Sequence, residues 1–596
     1  MKAILIFDNI NDLLFSKWDD DFLECIKSFN DVTDDDLTDN HNVSQLLSPI
    51  ITSQRVMAAQ FGNTYSSMQC KDKTTIVFDE WLDHVFLIIS KDCVDEAQRE
   101  LLDCKTFVQH ICGQNINLLQ SSMYKNWLSV LLESQGKGDS VPGASGVIGE
   151  CGATAAALSA LKAVSKDIKS TYSHLHLMLY VGDKLLALYS SRGCEDLTPS
   201  DLILISIQCI AAQEFWKSNQ DTDGENNIQL PWLSAGNGGV VSTCAGAACV
   251  PSAPHAMYLA PLAQRIVFVI LVDMDLRDVG IPIQMSSQIL SNLSRLLLQR
   301  NMELLSNTLD ALEVALKKTS EALRKSKYVS GGGGAGARLA HSMAELRRAS
   351  GVSPLASDTA AAALHTALQA ALQLLPTQPP HVDMANALRA LKTSLAPYID
   401  FLQVKAMRFF SLGSYPFQLL YLHLFTKSGS LTLHKYVEEF PGLVHFVYVD
   451  RSTGRFLAPD LADCADMVTP EAVRLVVSRA LSALREGYCA ASWRRGALHA
   501  CAVQWWERRS QPVSPARPPH VAAVRALPPP GDILNAFYRQ LVELAFPKDS
   551  EGVCVKELVC IHLGLVPAAT AVQQARRLAH AVHEIAAARA PAADLL

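Results

Sequence analysis

The sequence predicts an α+β protein made of three similar units, each an antiparallel sheet with helices on both faces, joined by flexible linkers. Strands occur as hairpins followed by helices, which favours antiparallel sheets over alternating parallel βαβ units. This arrangement of hairpins and helices occurs three times along the chain. At 596 residues the chain is too long for one core, and 49% hydrophobic residues are enough for several.

Composition excludes several classes of function. A formal net charge of -7 gives no reason to expect a nucleic acid as partner. The 15 cysteines include no C-x-x-C pair, which favours reduced, buried thiols over a disulfide framework or a zinc site. The N-terminus becomes polar too early for a signal peptide. Residues 409–426 are apolar and uncharged but short for a membrane span, so a buried or irregular insertion is favoured.

The first unit is predicted to span residues 1–135. Its strand and helix order, β-β-α-β-β-β-α-α, is that of a longin domain. Such a sheet has no topological switch point of the kind that binds nucleotides. The predicted strands are 2–10, 12–18, 64–71, 74–80 and 83–90, and the predicted helices are 44–61, 94–119 and 121–134.

An acidic stretch follows the first hairpin and allows two interpretations. It is either a solvated loop or an electrostatic docking surface for a basic partner. Its acidic residues are Asp19, Asp20, Asp21, Glu24, Asp31, Asp34, Asp35, Asp36 and Asp39.

The remaining domain boundaries follow from composition and from two further hairpins. Residues 136–170 are expected to be a flexible linker, and residues 171–328 a second longin domain with a loop insertion at 218–252. A Gly- and Ala-rich stretch, 329–380, predicts a disordered linker. Residues 381–436 are expected to hold a helix and an insertion at 409–428. A third longin domain is predicted for 437–590, where residues 443–449 alternate in a strand that is apolar on both faces.

No catalytic constellation is present in the sequence. It contains no G-x-S-x-G elbow, no H-E-x-x-H and no calcium loop, and the Gly331–Gly334 run lacks the Lys of a phosphate loop. His445 lies in a predicted buried strand, so a core histidine with satisfied hydrogen bonds is favoured over a base. His174 and His176 share a strand face but have no further metal ligands nearby. We therefore expect no covalent chemistry, no cofactor and no metal.

The block F-P-G-L-V-H-F-V-Y-V-D-R-S-T-G at 440–454 is the most specific of several blocks in this chain. Together they resemble the Hermansky-Pudlak syndrome type one protein family, whose members are subunits of the biogenesis of lysosome-related organelles complex 3. Further blocks are K-L-L-A-L-Y-S-S at 184–191, Q-W-W-E at 504–507, F-Y-R at 537–539 and the run from Glu557 to Ala575. The signature residues, expected to be structural, are Phe440, Pro441, Gly442, His445, Tyr448, Asp450, Arg451 and Gly454.

This resemblance implies a triple-longin subunit of a heterodimeric guanine-nucleotide exchange factor. The implied partners are the Hermansky-Pudlak syndrome type four protein, substrate GTPases of the Rab thirty-two and thirty-eight class, and Rab nine upstream. The implied location is cytoplasmic, with peripheral recruitment to endosomal membranes or to lysosome-related organelles such as melanosomes and pigment granules. The alternative is a non-catalytic scaffold or Rab effector subunit in vesicle trafficking.

By analogy with paired longin exchange factors, the GTPase contact is expected on the first domain. The expected contact residues are Trp18, Asp31, Asp34, Asp35, Asp36 and Asp39. The alternative for Trp18 is a core residue at the end of a strand.

Overall fold

A computed structural model describes most of residues 1–588. The described residues exclude 30–39, 62–64, 114–115, 136, 138–140, 148–151, 169–173, 193, 195–196, 219–239, 244–252, 274–276, 299–301, 327–328, 330, 351–352, 375–383, 401, 403–439, 459–467, 510 and 589–596. The chain divides into two compact units. Unit 1 comprises 1–130, 231–256 and 273–380, and unit 2 comprises 131–230, 257–272 and 381–596.

The first domain is a five-stranded antiparallel sheet in the order β2-β1-β5-β4-β3. Leu5 of β1 lies opposite Leu87 of β5, and both are fully buried. Part of the acidic stretch is helical, because α1 begins at Asp20. The elements are β1 Lys2–Phe7, β2 Leu13–Trp18, α1 Asp20–Phe29, α2 Asn40–Phe61, β3 Ser67–Gln69, β4 Thr75–Trp81, β5 His84–Ser90, α3 Val94–Cys112, a 3-10 turn Ile116–Gln120 and α4 Ser122–Gln135.

The second domain has a sheet covered by two helices that lie outside its predicted boundaries. Ala157 and Leu161 of the first helix and Leu391 and Leu395 of the second pack in one core with strand residues such as Phe268. The elements are β6 Ser145–Val147, α5 Gly152–Ile168, β7 Leu175–Val181, β8 Lys184–Ser190, α6 Pro199–Ser218, β9 Val240–Thr243, β10 Ala253–Ala263, β11 Ile266–Asp273 and, later in the chain, α11 Met384–Asp400. The expected flexible linker at 136–170 therefore contains a strand and a core helix, since its small residues are buried against the sheet.

Four helices follow the second domain in sequence: α7 Arg277–Leu298, α8 Met302–Lys325, α9 Gly332–Ala349 and α10 Pro354–Leu372. They share a core separate from that of the second-domain sheet. The structure thus differs from the expected disorder at 329–380 and from a second domain that extends to 328. The glycines allow close helix packing, because a Cβ at Gly332 would overlap the carbonyl oxygen of Leu323.

The third domain has helices on both faces of its sheet. Helix α12 packs on one face against Val447 and Val449, and α15 packs on the other against Phe446 and Leu558. The elements are β12 Leu443–Asp450, β13 Arg455–Leu457, α12 Pro470–Arg485, β14 Ala490–Arg495, β15 Leu498–Arg508, β16 Gln511–Val513, α13 Val521–Arg525, α14 Ala536–Ala545, β17 Val553–Leu563 and α15 Ala568–Ala588.

Strand β6 joins the second- and third-domain sheets into one. It pairs in parallel with β13 on one side and with β8 on the other. The resulting order is β14-β15-β17-β12-β13-β6-β8-β7-β11-β10. The segment between the first two domains thus becomes part of the sheet.

Among the described residues, no helix is long and apolar enough to cross a membrane. The apolar segment 409–426, for which a membrane span was weighed, lies outside the described residues, as does the expected insertion at 409–428.

Candidate functional site

The signature residues 440–454 form β12, the turn after it and the start of β13. Strand β12 lies between β17 and β13, so its side chains are buried on both sheet faces. Asp450 closes the turn, because its Oδ1 accepts a hydrogen bond from the Ser452 backbone N–H at 3.0 Å. Burial by itself raises the pKa of this carboxyl, but the Lys556 ammonium at 2.5 Å and Ser452 hold the pKa below its ordinary value.

Arg451, directly after this strand, is the centre of a buried junction. Its side chain is fully buried, and its Nε and Nη2 donate to Glu557 Oε2 at 2.9 and 2.7 Å. Its Nη1 donates to the carbonyl oxygen of Pro142 at 2.7 Å, and its guanidinium lies 4.6 Å from the centre of the Tyr538 ring. Burial lowers the pKa of Arg451, but the Glu557 carboxylate and Tyr538 more than offset this and raise it. The guanidinium therefore stays charged inside the protein.

The same junction holds the segment that enters β6. The Ser145 backbone N–H donates to the carbonyl oxygen of Gly454 at 2.7 Å, and Asn535 Nδ2 donates to the carbonyl oxygen of Gly143 at 3.1 Å. Gly454 has a φ of +60°, and a Cβ there would lie 2.5 Å from Pro199 Cβ at the start of α6. Ser200 Oγ, next to Pro199, donates to the carbonyl oxygen of Ile533. The signature turn thus fastens the second-domain sheet to the third.

Three of the blocks that carry the family resemblance meet at this point. Arg451, Tyr538 and Glu557 come from blocks that are distant in sequence, and their side chains are in contact. The sequence placed all three residues in family blocks but did not predict that they meet, although the opposite charges of Arg451 and Glu557 were a usable signal. Pro142, Gly143 and Ser145 had no such signal, because they lie in a stretch whose composition is typical of a linker.

The other signature residues also serve the core. Phe440 and Tyr448 pack in one cluster with α15, and a Cβ at Gly442 would overlap a methyl group of Val566. Pro441 accepts a hydrogen bond from Gln574 Nε2 through its carbonyl oxygen at 3.1 Å. Burial, together with Lys184, lowers the pKa of His445 to about 3, so its ring is neutral. Among the described residues, its buried Nδ1 has no hydrogen-bond partner, which differs from the expected core histidine with satisfied hydrogen bonds.

The expected GTPase contact is only partly described. Trp18 ends β2 and is half-buried, and its ring stacks on Phe22 with 6.1 Å between ring centres. This packing accords with the alternative that Trp18 is a core residue, but leaves part of the indole exposed. The structure places Asp20, Asp21 and Glu24 on the exposed side of α1. Asp31, Asp34, Asp35, Asp36 and Asp39 lie outside the described residues.

In the part of the chain that the structure describes, no group of three or more His, Cys, Asp or Glu residues could hold a metal ion. His176, weighed as a metal ligand, has its Nδ1 2.9 Å from Ser190 Oγ.

Comparison with protein families gives three matches in chain order. The first longin domain of FUZ, MON1 and HPS1 matches residues 2–134. The second longin domain of these proteins matches residues 172–276, and the third matches residues 442–585. The junction around Arg451 lies within the third match and between elements of the second and third.

Proposed function

The chain belongs to the triple-longin proteins of the FUZ, MON1 and HPS1 type, and on this premise we propose that it is one subunit of a heterodimeric guanine-nucleotide exchange factor for a Rab-type GTPase in membrane trafficking. The predicted fold class, α+β with three longin domains, is confirmed. The observation that carries the proposal is the presence of all three longin domains in the order of that group.

The finer proposal rests on the signature block at 440–454 and the collinear blocks around it. We propose that the chain acts with the Hermansky-Pudlak syndrome type four protein on Rab thirty-two or thirty-eight, with Rab nine as an upstream partner. The process served is then the biogenesis of lysosome-related organelles, with recruitment of the complex to the membrane surface.

Exchange requires binding and no covalent chemistry. The factor must bind the nucleotide-free GTPase more tightly than the nucleotide-bound one, since only such a difference accelerates release. A 10⁴-fold acceleration corresponds to about 5.5 kcal/mol, which a few well-packed contacts are able to supply.

The first domain has the charge to bind a basic surface. Residues 2–134 contain 21 Asp and Glu against 10 Lys and Arg. The exposed carboxylates Asp20, Asp21 and Glu24 lie at the start of the acidic stretch, close in sequence to Trp18. We propose that the exposed part of Trp18 and the carboxylates of 31–39 form the GTPase contact.

The test is release of a fluorescent GDP analogue from purified Rab thirty-two. The chain alone, the type four protein alone and the co-expressed pair are compared. We expect acceleration by the pair only, because the contact is shared between two first longin domains. A stable pair that binds the GTPase but does not accelerate release would support the scaffold or effector alternative instead.

Matched charge reversals locate the contact. Asp34→Lys, Asp35→Lys and Asp36→Lys combined are expected to slow exchange at least about tenfold, through repulsion of the basic partner. The control combines Glu345→Lys, Asp358→Lys and Glu551→Lys, which change the net charge equally at exposed sites outside the first longin domain. If both sets of substitutions slow exchange equally, the GTPase contact does not involve residues 34–36.

A further inference from the structure

One end of the third-domain sheet carries an exposed leucine beside cationic residues. The turn after β17 holds Leu565, whose surface is 92% exposed. The turn between β14 and β15 lies next to it, because the Gly564 backbone N–H donates to the carbonyl oxygen of Ala497 at 2.6 Å. These two turns, 494–498 and 563–567, are called the third-domain tip.

Backbone contacts hold the two turns of the tip against each other. Gly564 permits the close approach of the two turns, since a Cβ there would lie 2.8 Å from the carbonyl oxygen of Ala497. The Leu563 backbone N–H donates to the carbonyl oxygen of Gly442, which ties the tip to the start of the signature strand. Leu565 is therefore held outward by backbone contacts.

The charged side chains of the two segments that include the tip are all cationic. The segments that include the two turns and the residues flanking them, 487–506 and 558–583, contain no Asp or Glu. Their charged residues are the exposed Arg494, Arg495, Arg576 and Arg577. The Arg577 guanidinium lies 5.7 Å from the centre of the Phe440 ring, which brings this part of α15 to the same end of the sheet. Glu438 and Glu439, which precede Phe440, lie outside the described residues.

We propose that the third-domain tip docks on an anionic lipid bilayer, with Leu565 inserted at the interface and the arginines against the headgroups. A protein partner would bury roughly 800 Å² per side around an apolar centre, whereas the exposed large apolar side chains of the tip are two leucines, Leu565 and the 39% exposed Leu563. An apolar anchor flanked by cations is the combination that binds anionic membrane surfaces reversibly. The inference deepens the membrane recruitment in the proposed function and assigns it a surface.

Co-sedimentation with phosphatidylcholine vesicles, with or without phosphatidylserine, tests the proposal on the full chain. We expect binding only with phosphatidylserine, and weaker binding at high salt. Arg494→Glu with Arg495→Glu should lower the bound-to-free ratio at least about tenfold, since each basic residue near the surface contributes roughly fivefold. Leu565→Asp should lower it as well, because the anchor is lost.

The controls use exposed residues of unit 1. Leu355→Asp replaces a leucine that is 77% exposed, and Arg324→Glu with Arg338→Glu reverses two exposed charges. Neither should change vesicle binding. Leu565→Trp gives a direct reading, since lipids brominated near the headgroup end of the acyl chain should quench the added indole. Absence of that added quenching, or equal loss in the control variants, overturns the proposal.

Nucleotide release in solution separates this proposal from the exchange function. Measured without vesicles, GDP release should be unchanged by the tip variants if the tip contacts lipid. If the tip variants abolish release in solution, the tip is a protein contact and the lipid proposal is wrong. If the unmodified pair does not accelerate GDP release, the proposed exchange function is wrong. Vesicle binding by the chain and its tip variants still tests the lipid proposal independently.

Discussion

The first longin domain and the joined second and third domains use charge in different ways. In the first domain each described ion pair has at least one partly exposed partner, as in Lys105–Asp79, where the two side chains are 21% and 27% exposed. In the joined domains Arg451 and Glu557 are 0% and 9% exposed. A buried charge destabilises the fold unless its partner is in place. This pair lies beside the segment that enters β6, because Arg451 also donates to the carbonyl oxygen of Pro142. The first domain also has exposed carboxylates, such as those of Asp20 and Glu24, which remain available to a partner.

The largest effect is expected from breaking the buried pair. Arg451→Met leaves the Glu557 carboxylate buried without its cation, which should cost about 3–5 kcal/mol. Hydrogen exchange followed by mass spectrometry measures this directly, as faster exchange in β12, β17 and β6. Protection in β5 of the first domain should stay unchanged.

Two variants test whether that loss comes from the unpaired charge. Arg525→Met removes an ion pair with Glu486 that is 58% and 47% exposed, and it should cost less than about 1 kcal/mol. Arg451→Met combined with Glu557→Met should recover much of the lost protection, since two apolar side chains replace both charges. If the double variant is no more protected than the single one, the hydrogen bond to Pro142 is the dominant contact.

A smaller loss is expected from filling the space at the signature turn. Gly454→Ala combines a left-handed backbone with a Cβ that overlaps Pro199, and it should cost about 2–4 kcal/mol. Gly496→Ala is the matched control, because Gly496 has a φ of +55° and open space around its Cβ position. It should cost only about 1–2 kcal/mol. Similar denaturation midpoints for the two variants would mean that Pro199 shifts to accommodate the added methyl group without loss of stability.

Local patterns predicted the strands but not the segments that connect them. Alternation in residues 443–449 identified a strand apolar on both faces, because side chains that face a buried environment are apolar and this is visible in the strand's own sequence. Ala157 and Gly332 were assigned to flexible or disordered stretches, since small residues are typical of linkers. In the structure these residues are buried where helices pack closely. That role depends on the neighbouring element and cannot be deduced from composition.

The candidate sites show the same limit. Arg451 and Glu557 are separated by 106 residues, and their contact depends on the register of β12 against β17. A single sequence specifies that both strands exist but does not fix their register. The resemblance identified the blocks, and the structure supplies the reason that they occur together. For the acidic residues 31–39 the sequence remains the source of the prediction.

The smallest effect concerns acid stability, and here both units are expected to respond. His445 has a pKa of about 3 in the folded protein, and burial also lowers the pKa of His84 in the first domain. A histidine whose folded pKa is depressed binds its proton more readily when unfolded, so stability is lost as pH falls below the unfolded pKa of about 6.5. At about pH 5 the loss from His445 should be about 2 kcal/mol.

Glutamine variants assign this loss to each unit, because glutamine is polar but does not titrate. His445→Gln should flatten the pH dependence of hydrogen exchange in β12 between about pH 5 and pH 7 and leave that of β5 unchanged. His84→Gln should do the reverse. In the part of the chain that the structure describes, neither Nδ1 of His445 nor Nε2 of His84 has a hydrogen-bond acceptor that would favour the protonated ring at that nitrogen. If the slope in β12 persists in His445→Gln, another group of the joined domains, with His562 and its pKa of about 4 as the first candidate, carries the acid sensitivity.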